Sequence, residues 1–435
     1  ERRSPARTAA LITPRLLSRD DIDYELVLRS LLFDLSVAMD GGARSMSSIE
    51  PLLGPNPVLG RRLGLSSLIV TALRAQWPLL AGTAVYCGGV SWVLDHSARA
   101  RPLSFDDLTV EAVAMSLVVQ LVALITLRFL YMCLTTRPAR PSVALYRDLK
   151  AFLSCPYRMC LGLPILIALI LFAKSFTTFK YNIPALNPFS WDETFMRWDR
   201  AIHFGHQPFA LLQPVLGHPI VTFIINLGYN LWYMVMWCFW VLLIFAGRSS
   251  ELRTQFLMSF LLVWSVLGSL MAWALSSAGP CFYGLLGLPD DPYAGLMAYL
   301  READQSFPIW ALDIQQSLWE TYTGERSVIA GISAMPSLHN GTALLFALTA
   351  WKIDRRIGIA FGLYAIWIFL GSIHLGWHYA VDAYIAWAMV LPIWWLSGLF
   401  ARWNETRPAV RAYNELSLRA RPSDVPLVFG IRSFP

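Results

Sequence analysis

Residues 219–246 read PIVTFIINLGYNLWYMVMWCFWVLLIFA, a run without a single Asp, Glu, Lys or Arg. It is longer than the roughly 20 apolar residues that carry an α-helix across a bilayer, where every backbone N–H and C=O must be satisfied within the segment itself. The run therefore predicts a transmembrane helix. Working outward, seven further runs read the same way, near 78–95, 109–133, 159–178, 254–276, 336–351, 357–374 and 378–401. Composition agrees: 435 residues that are 56% hydrophobic and 15% charged, with 18 Trp, carry more apolar surface than a soluble domain of this size can bury. The expectation is an all-α integral membrane protein of about eight transmembrane helices.

The segments around these spans divide the chain. Residues 1–77 mix both charge signs and lack an early apolar core, unlike a cleavable signal peptide, so they are expected to be a cytoplasmic extension. Within them Tyr24 to Met39 has helical apolar periodicity interrupted by Glu25, Arg29 and Asp34, which suits a packed or interfacial amphipathic helix. Gly41 and Gly42 would end it. Residues 78–133 hold two spans that precede a connection rich in cations, 159–401 hold six more, and 402–435 form a cytoplasmic tail. A long connection, 277–335, is expected to be an outer loop or lid.

Orientation follows from the cations of the short connections. Arg137, Arg140, Arg147, Lys150 and Arg158 fall in one connection, Arg248 and Arg253 in another, and Lys352, Arg355 and Arg356 in a third. All three share a side with both termini, which is therefore the cytoplasmic side. From Ser277 to Met335 the cations are only Arg301 and Arg326, against Asp290, Asp291, Glu302, Asp304, Asp313, Glu320 and Glu325. The net charge of +6 is thus a consequence of topology and gives no reason to expect a nucleic-acid partner. The six cysteines write neither a disulfide framework nor a CxxC metal site.

Ionisable residues gather at the non-cytoplasmic ends of three spans. His339 begins the span at 336–351, and GSIHLGWHYAVDA places His374, His378 and Asp382 between the last two. His378 and Asp382 are four apart, one helical turn, so the carboxylate can accept an imidazole N–H, fix the tautomer and leave the other ring nitrogen as a base or nucleophile. Pro336 suits the first turn of a helix, whose free N–H groups attract a phosphate, and His339 lies in that turn. Two other readings stand beside this one. His374, His378 and Asp382 can be written as a metal triad, although Gly376 interrupts it. Asn226, Tyr229 and Asn230 in the 219–246 span either line a head-group pocket or bond between helices.

These residues resemble the phosphatidic acid phosphatase type 2 superfamily. Its second motif, P-S-G-H, is similar to Pro336-Ser337-Leu338-His339, and the H-x3-D of its third motif to His378 through Asp382. Leu338 in place of Gly, and the Tyr after His378, bring the chain nearest to the inositol phosphorylceramide synthase branch, as does SSAGPCFYGLLG from Ser276. The resemblance implies a six-helix catalytic core over 159–401 that uses neither metal nor cofactor. By it His378 would attack phosphorus, Asp382 would orient the imidazole, and His339 would protonate the departing alkoxide. A phospholipid or lipid-phosphate donor is implied, with a lipid or polyol alcohol as acceptor, or water in a phosphatase. The family's K-x6-R-P pattern has no counterpart, and the Arg of its third motif falls on Ser372. Ser337, the N–H groups of the same turn and Arg326 are the expected substitutes in binding phosphate. A transporter would instead place polar residues around the midplane of interrupted spans rather than at one face.

Overall fold

The computed structural model describes residues 64–103, 107–326 and 331–419. The expected amphipathic helix at Tyr24 to Met39 lies outside them. The described residues form α1 (Leu65–Asp95), α2 (Asp107–Thr135), α3 (Pro141–Leu153), α4 (Pro156–Leu186), α5 (Asp192–Ile202), α6 (Pro208–Leu216) and α7 (Pro219–Ile244). These are followed by α8 (Glu251–Ala274), which widens into a π turn over Val266–Met271. The chain continues through α9 (Ala294–Asp304), α10 (Trp310–Thr323), α11 (Leu338–Ile353), α12 (Arg355–His374), α13 (Ala380–Thr406) and α14 (Pro408–Arg419). Among the described residues seven helices are long and apolar enough to cross a membrane: α1, the Val118–Thr135 part of α2, α4, α7, α8, α12 and α13. This is an all-helical integral membrane protein.

The remaining expected span is α11, with 16 residues. At 1.5 Å per residue it measures about 24 Å, short of a hydrocarbon layer of about 30 Å. Its neighbours enclose it, and Ala343, Leu345, Phe346 and Ala350 are fully buried. The first span begins earlier than its apolar run suggests, at Leu65, because the helix continues through Pro78.

Local chemistry sets the helix ends. Pro141, Pro156, Pro208 and Pro219 each stand in a first turn, where a missing N–H costs nothing. Asp354 alone separates α11 from α12. Its carboxylate accepts the Arg356 and Ile357 N–H groups at 2.8 and 3.0 Å, starting α12 as soon as α11 stops. The two helices run back along each other, and Phe346 of α11 stacks on Phe239 of α7 with ring centroids 4.7 Å apart.

At the end of the bundle away from the histidines, two cations that look like loop residues in the sequence are buried. Arg158 donates to the Phe245 carbonyl at 3.1 Å, and Arg253 donates to the Leu243 carbonyl at 3.0 Å and to Gln76 at 3.2 Å. They cap the carbonyls that the end of α7 leaves open. The stretch after the last span is also not simply a tail. Val410 and Tyr413 of α14 pack on Leu68, Ala72 and Ala75 of α1.

Candidate active site

The other end of the bundle brings together segments distant in sequence, and α5 holds them. Asp192 and Asp199, seven apart and both buried, lie on one face of this short helix. Asp192 accepts the Ala278 and Gly279 N–H groups, the latter at 2.8 Å, and the Tyr379 hydroxyl at 2.8 Å. Asp199 accepts the Ala380 and Val381 N–H groups at 2.8 and 2.9 Å, capping α13. Burial raises both carboxyls, Asp199 to about 7, against the opposing pull of those backbone donors.

The loop after α8 is the second tie. Ser277 accepts the Ala334 N–H on its carbonyl and the Met335 N–H on its hydroxyl, and Cys281 N–H donates to the Gly376 carbonyl at 2.9 Å. Gly279 has φ +105°, and a Cβ there would lie 2.8 Å from the Trp377 carbonyl oxygen, so only glycine fits. The loop is thereby pressed against the turn that presents His378.

On this frame His378 Nδ1 lies 3.0 Å from Asp382 Oδ2. The carboxylate fixes the Nδ1–H tautomer, which leaves Nε2 as the basic nitrogen. The second carboxylate oxygen of Asp382 is buried without a hydrogen-bond partner among the described residues. Burial, followed by the positive charge of Lys180, pushes the His378 imidazole down from its usual value, while the Ala334 carbonyl pulls the other way. The ring is neutral near pH 7. Ser337 N–H donates to the Asp382 carbonyl at 3.2 Å, which joins the start of α11 to the start of α13. His339 follows in the first turn of α11. Its ring sits 4.8 Å from Tyr229, 4.4 Å from Trp232 and 6.2 Å from His378, centroid to centroid.

His339 and His378 form one end of a cavity of about 530 Å³. Its walls run down α4 from Lys180 to Leu166 and along α7 from Tyr229 to Trp240, with Trp264 and Gly268 of α8 between them. Apart from the histidines, Lys180 and Asn230, the wall is largely aromatic and aliphatic. Tyr233, halfway along α7, and Ile314 line the cavity and are also 52% and 42% exposed, which marks the rim where it opens.

Other expectations come out differently. Arg326 does not reach the cavity; its guanidinium donates to Ser317 at 2.9 Å and pairs with Glu320 at the end of α10. Ser337 is fully buried and caps α11, its hydroxyl accepting from the Asn340 N–H and side-chain amide. Ser372 is buried too, bonded to Asn340 and the Phe369 carbonyl. His374 Nε2 turns to the Thr222 hydroxyl at 2.9 Å, because α12 ends there and Gly376, with φ +73°, reverses the chain. It does not join His378 and Asp382, and among the described residues no three His, Cys, Asp or Glu side chains are grouped as metal ligands. Tyr229 and Asn230 line the cavity, whereas Asn226 is buried between helices, accepting from Asn230 and the Ala311 N–H.

Residues 193–396, which include both histidines and Asp382, match the family model described as PAP2 superfamily. They form a PAP2 superfamily domain. The superfamily comprises phosphatases and phosphotransferases, and the match supports an enzyme of that kind. No curated protein and no solved structure gives a match. Sequence reading missed Lys180, Asp192 and Asp199 as parts of the site. Lys180 carried a signal, since a lysine this deep in an apolar helix is expected to serve a function.

Proposed function

We propose that the enzyme is a phosphotransferase similar to inositol phosphorylceramide synthases, moving the phospho-head group of a membrane lipid onto an alcohol through a phosphohistidine. The observation that carries this reading is the His378–Asp382 pair at the polar end of an otherwise greasy cavity. A lipid phosphoester matches that division of chemistry, with its phosphorus between the histidines and its chain among Trp237, Trp240 and Leu166.

The His378 Nε2 lone pair attacks phosphorus. An N–P bond forms as the P–O bond to the lipid alcohol breaks, and the departing oxygen keeps the electron pair and takes a proton from His339. Asp382 stabilises the positive charge that develops on the His378 ring. In the second half the acceptor hydroxyl returns a proton to His339 and its oxygen displaces the histidine from phosphorus. The aromatic wall disfavours water as the acceptor, which supports transfer over hydrolysis. By the cation pattern of the connections, this end of the bundle is the non-cytoplasmic one and both termini are cytoplasmic.

The test incubates purified protein with headgroup-labelled phospholipids, with and without candidate alcohols, and quenches the enzyme in alkaline detergent, in which an N–P bond survives. Labelled protein that loses its label to an alcohol is expected. Release only as a free phosphate ester, unchanged by every alcohol, would make the enzyme a phosphatase. No labelled protein under any condition would remove the phosphohistidine. Impermeant thiol reagents applied to Ser306→Cys, in a background without native cysteines, should label from the non-cytoplasmic side.

A further inference from the structure

The nucleophile, its carboxylate and the second histidine leave one cation of the cavity wall without a task. Lys180 stands two turns before the end of α4 and faces the same cavity as His339 and His378. Among the described residues it makes no hydrogen bond and no ion pair. The carboxylates of this region are otherwise engaged: Asp192 by two backbone amides and a tyrosine, Asp199 by two backbone amides, Asp382 by His378. By contrast, the buried Arg158 and Arg253 each hold a carbonyl.

The position of Lys180 is set from outside as well. A Cβ on Gly331 would fall 2.4 Å from the Lys180 carbonyl, so glycine lets the strand of chain that leads to Pro336 lie directly on α4. That contact sets the backbone of Lys180 directly against Gly331, which lines the same cavity together with Ile332 and Ser333. An ammonium held this way in a greasy cavity is costly until an anion arrives. Lysine also suits phosphate as a compact point charge with three donors.

We propose that Lys180 is the phosphate contact of this site, its ammonium binding the non-bridging oxygens of a phosphoester seated between His339 and His378. The proposal deepens the phosphotransfer reading and rests on it for the identity of the anion. The lysine lies ahead of residue 193, outside the segment that matches the PAP2 superfamily. It supplies a charge that the buried Ser372 cannot. It keeps its proton throughout: its part is to meet the negative charge that builds on the equatorial oxygens as the N–P bond forms.

The experiment uses the full chain in detergent and measures the unfolding midpoint and the affinity for orthovanadate, an oxyanion that adopts the five-coordinate geometry of phosphoryl transfer. Lys180→Met and Lys180→Gln should each lose about tenfold or more in affinity, as expected for a charged hydrogen bond, and Lys180→Arg should stay close to wild type. Without anion the Met variant should unfold no earlier than wild type, because it removes an unpaired charge from an apolar cavity wall. Its acid limb for phosphoenzyme formation should move to higher pH, since the lysine charge is one of the causes holding His378 down. Wild-type affinity in both neutral variants overturns the proposal, and so does a lowered midpoint with unchanged affinity, which would mark a structural lysine. A wild type that does not bind orthovanadate overturns it too. The two readings fail separately. Lysine-dependent vanadate binding without any phosphoenzyme leaves the anion site and removes the phosphohistidine, whereas a phosphoenzyme indifferent to Lys180→Met does the reverse.

Discussion

Two kinds of buried charge share one end of the molecule and differ in how completely they are satisfied. Asp192 and Asp199 have donors on both carboxylate oxygens, drawn from the α8 loop and the start of α13. Asp382 has one bonded oxygen and one without a partner, and Lys180 has none of either kind among the described residues. A low-dielectric interior penalises every unmet polar group, so the first pair is satisfied by the fold alone, while the second leaves donor and acceptor capacity that a bound phosphoester would use. Satisfied charge builds the frame, and the proposed phosphoester would meet the charge that is left unsatisfied beside the cavity.

Substitutions can break that division. The largest effect is expected at His378, where Ala should abolish turnover and the alkali-stable, acid-labile label together, while the unfolding midpoint changes little. Label that persists in His378→Ala but vanishes in His339→Ala would exchange the two roles. Asp382→Asn should retain the ring position but lose at least about tenfold in the rate of labelling, because an amide cannot stabilise an imidazolium as a carboxylate does. Stopped-time quenching in alkali measures it.

On the frame side, Asp192→Ala leaves the Ala278 and Gly279 amides and the Tyr379 hydroxyl without their acceptor. The cost is about 1–3 kcal/mol for each buried group left unmet, and the expected result is a lowered thermal midpoint with loss of activity following from unfolding. If the midpoint held while labelling disappeared, Asp192 would belong with the reacting groups. The smallest effect is expected far down the wall, where Ala173→Phe should shift preference toward donors with shorter chains by a few fold. Competition between chain lengths in one vesicle reads it, and an unchanged preference would mean that the chain lies elsewhere.

Much of this was legible in one sequence. Long uncharged runs announce their own helices, and His339, His378 and Asp382 stand out because polar residues at span ends are few. Lys180 lies two residues past the apolar run, which ends at 178, while the helix continues to Leu186. Asp192 and Asp199 sit between spans, where acids are ordinary, and their meaning lies in donors more than 80 residues away. Arg326 is one of only two cations in the long connection, and its local pairing with Ser317 and Glu320 cannot be read from the sequence. The eighth apolar run, α11, has 16 residues and is enclosed by its neighbours, so it is shorter than the seven helices that are long enough to cross a membrane by themselves.

The rim runs from Tyr233, midway along a membrane helix, to Ile314 of α10, so the cavity opens on the side of the bundle. A donor entering there arrives by diffusion in two dimensions, and the concentration that governs encounter is its mole fraction in the bilayer. Diluting the donor with an inert lipid should slow turnover in proportion, and diluting the same vesicles with buffer should leave it unchanged.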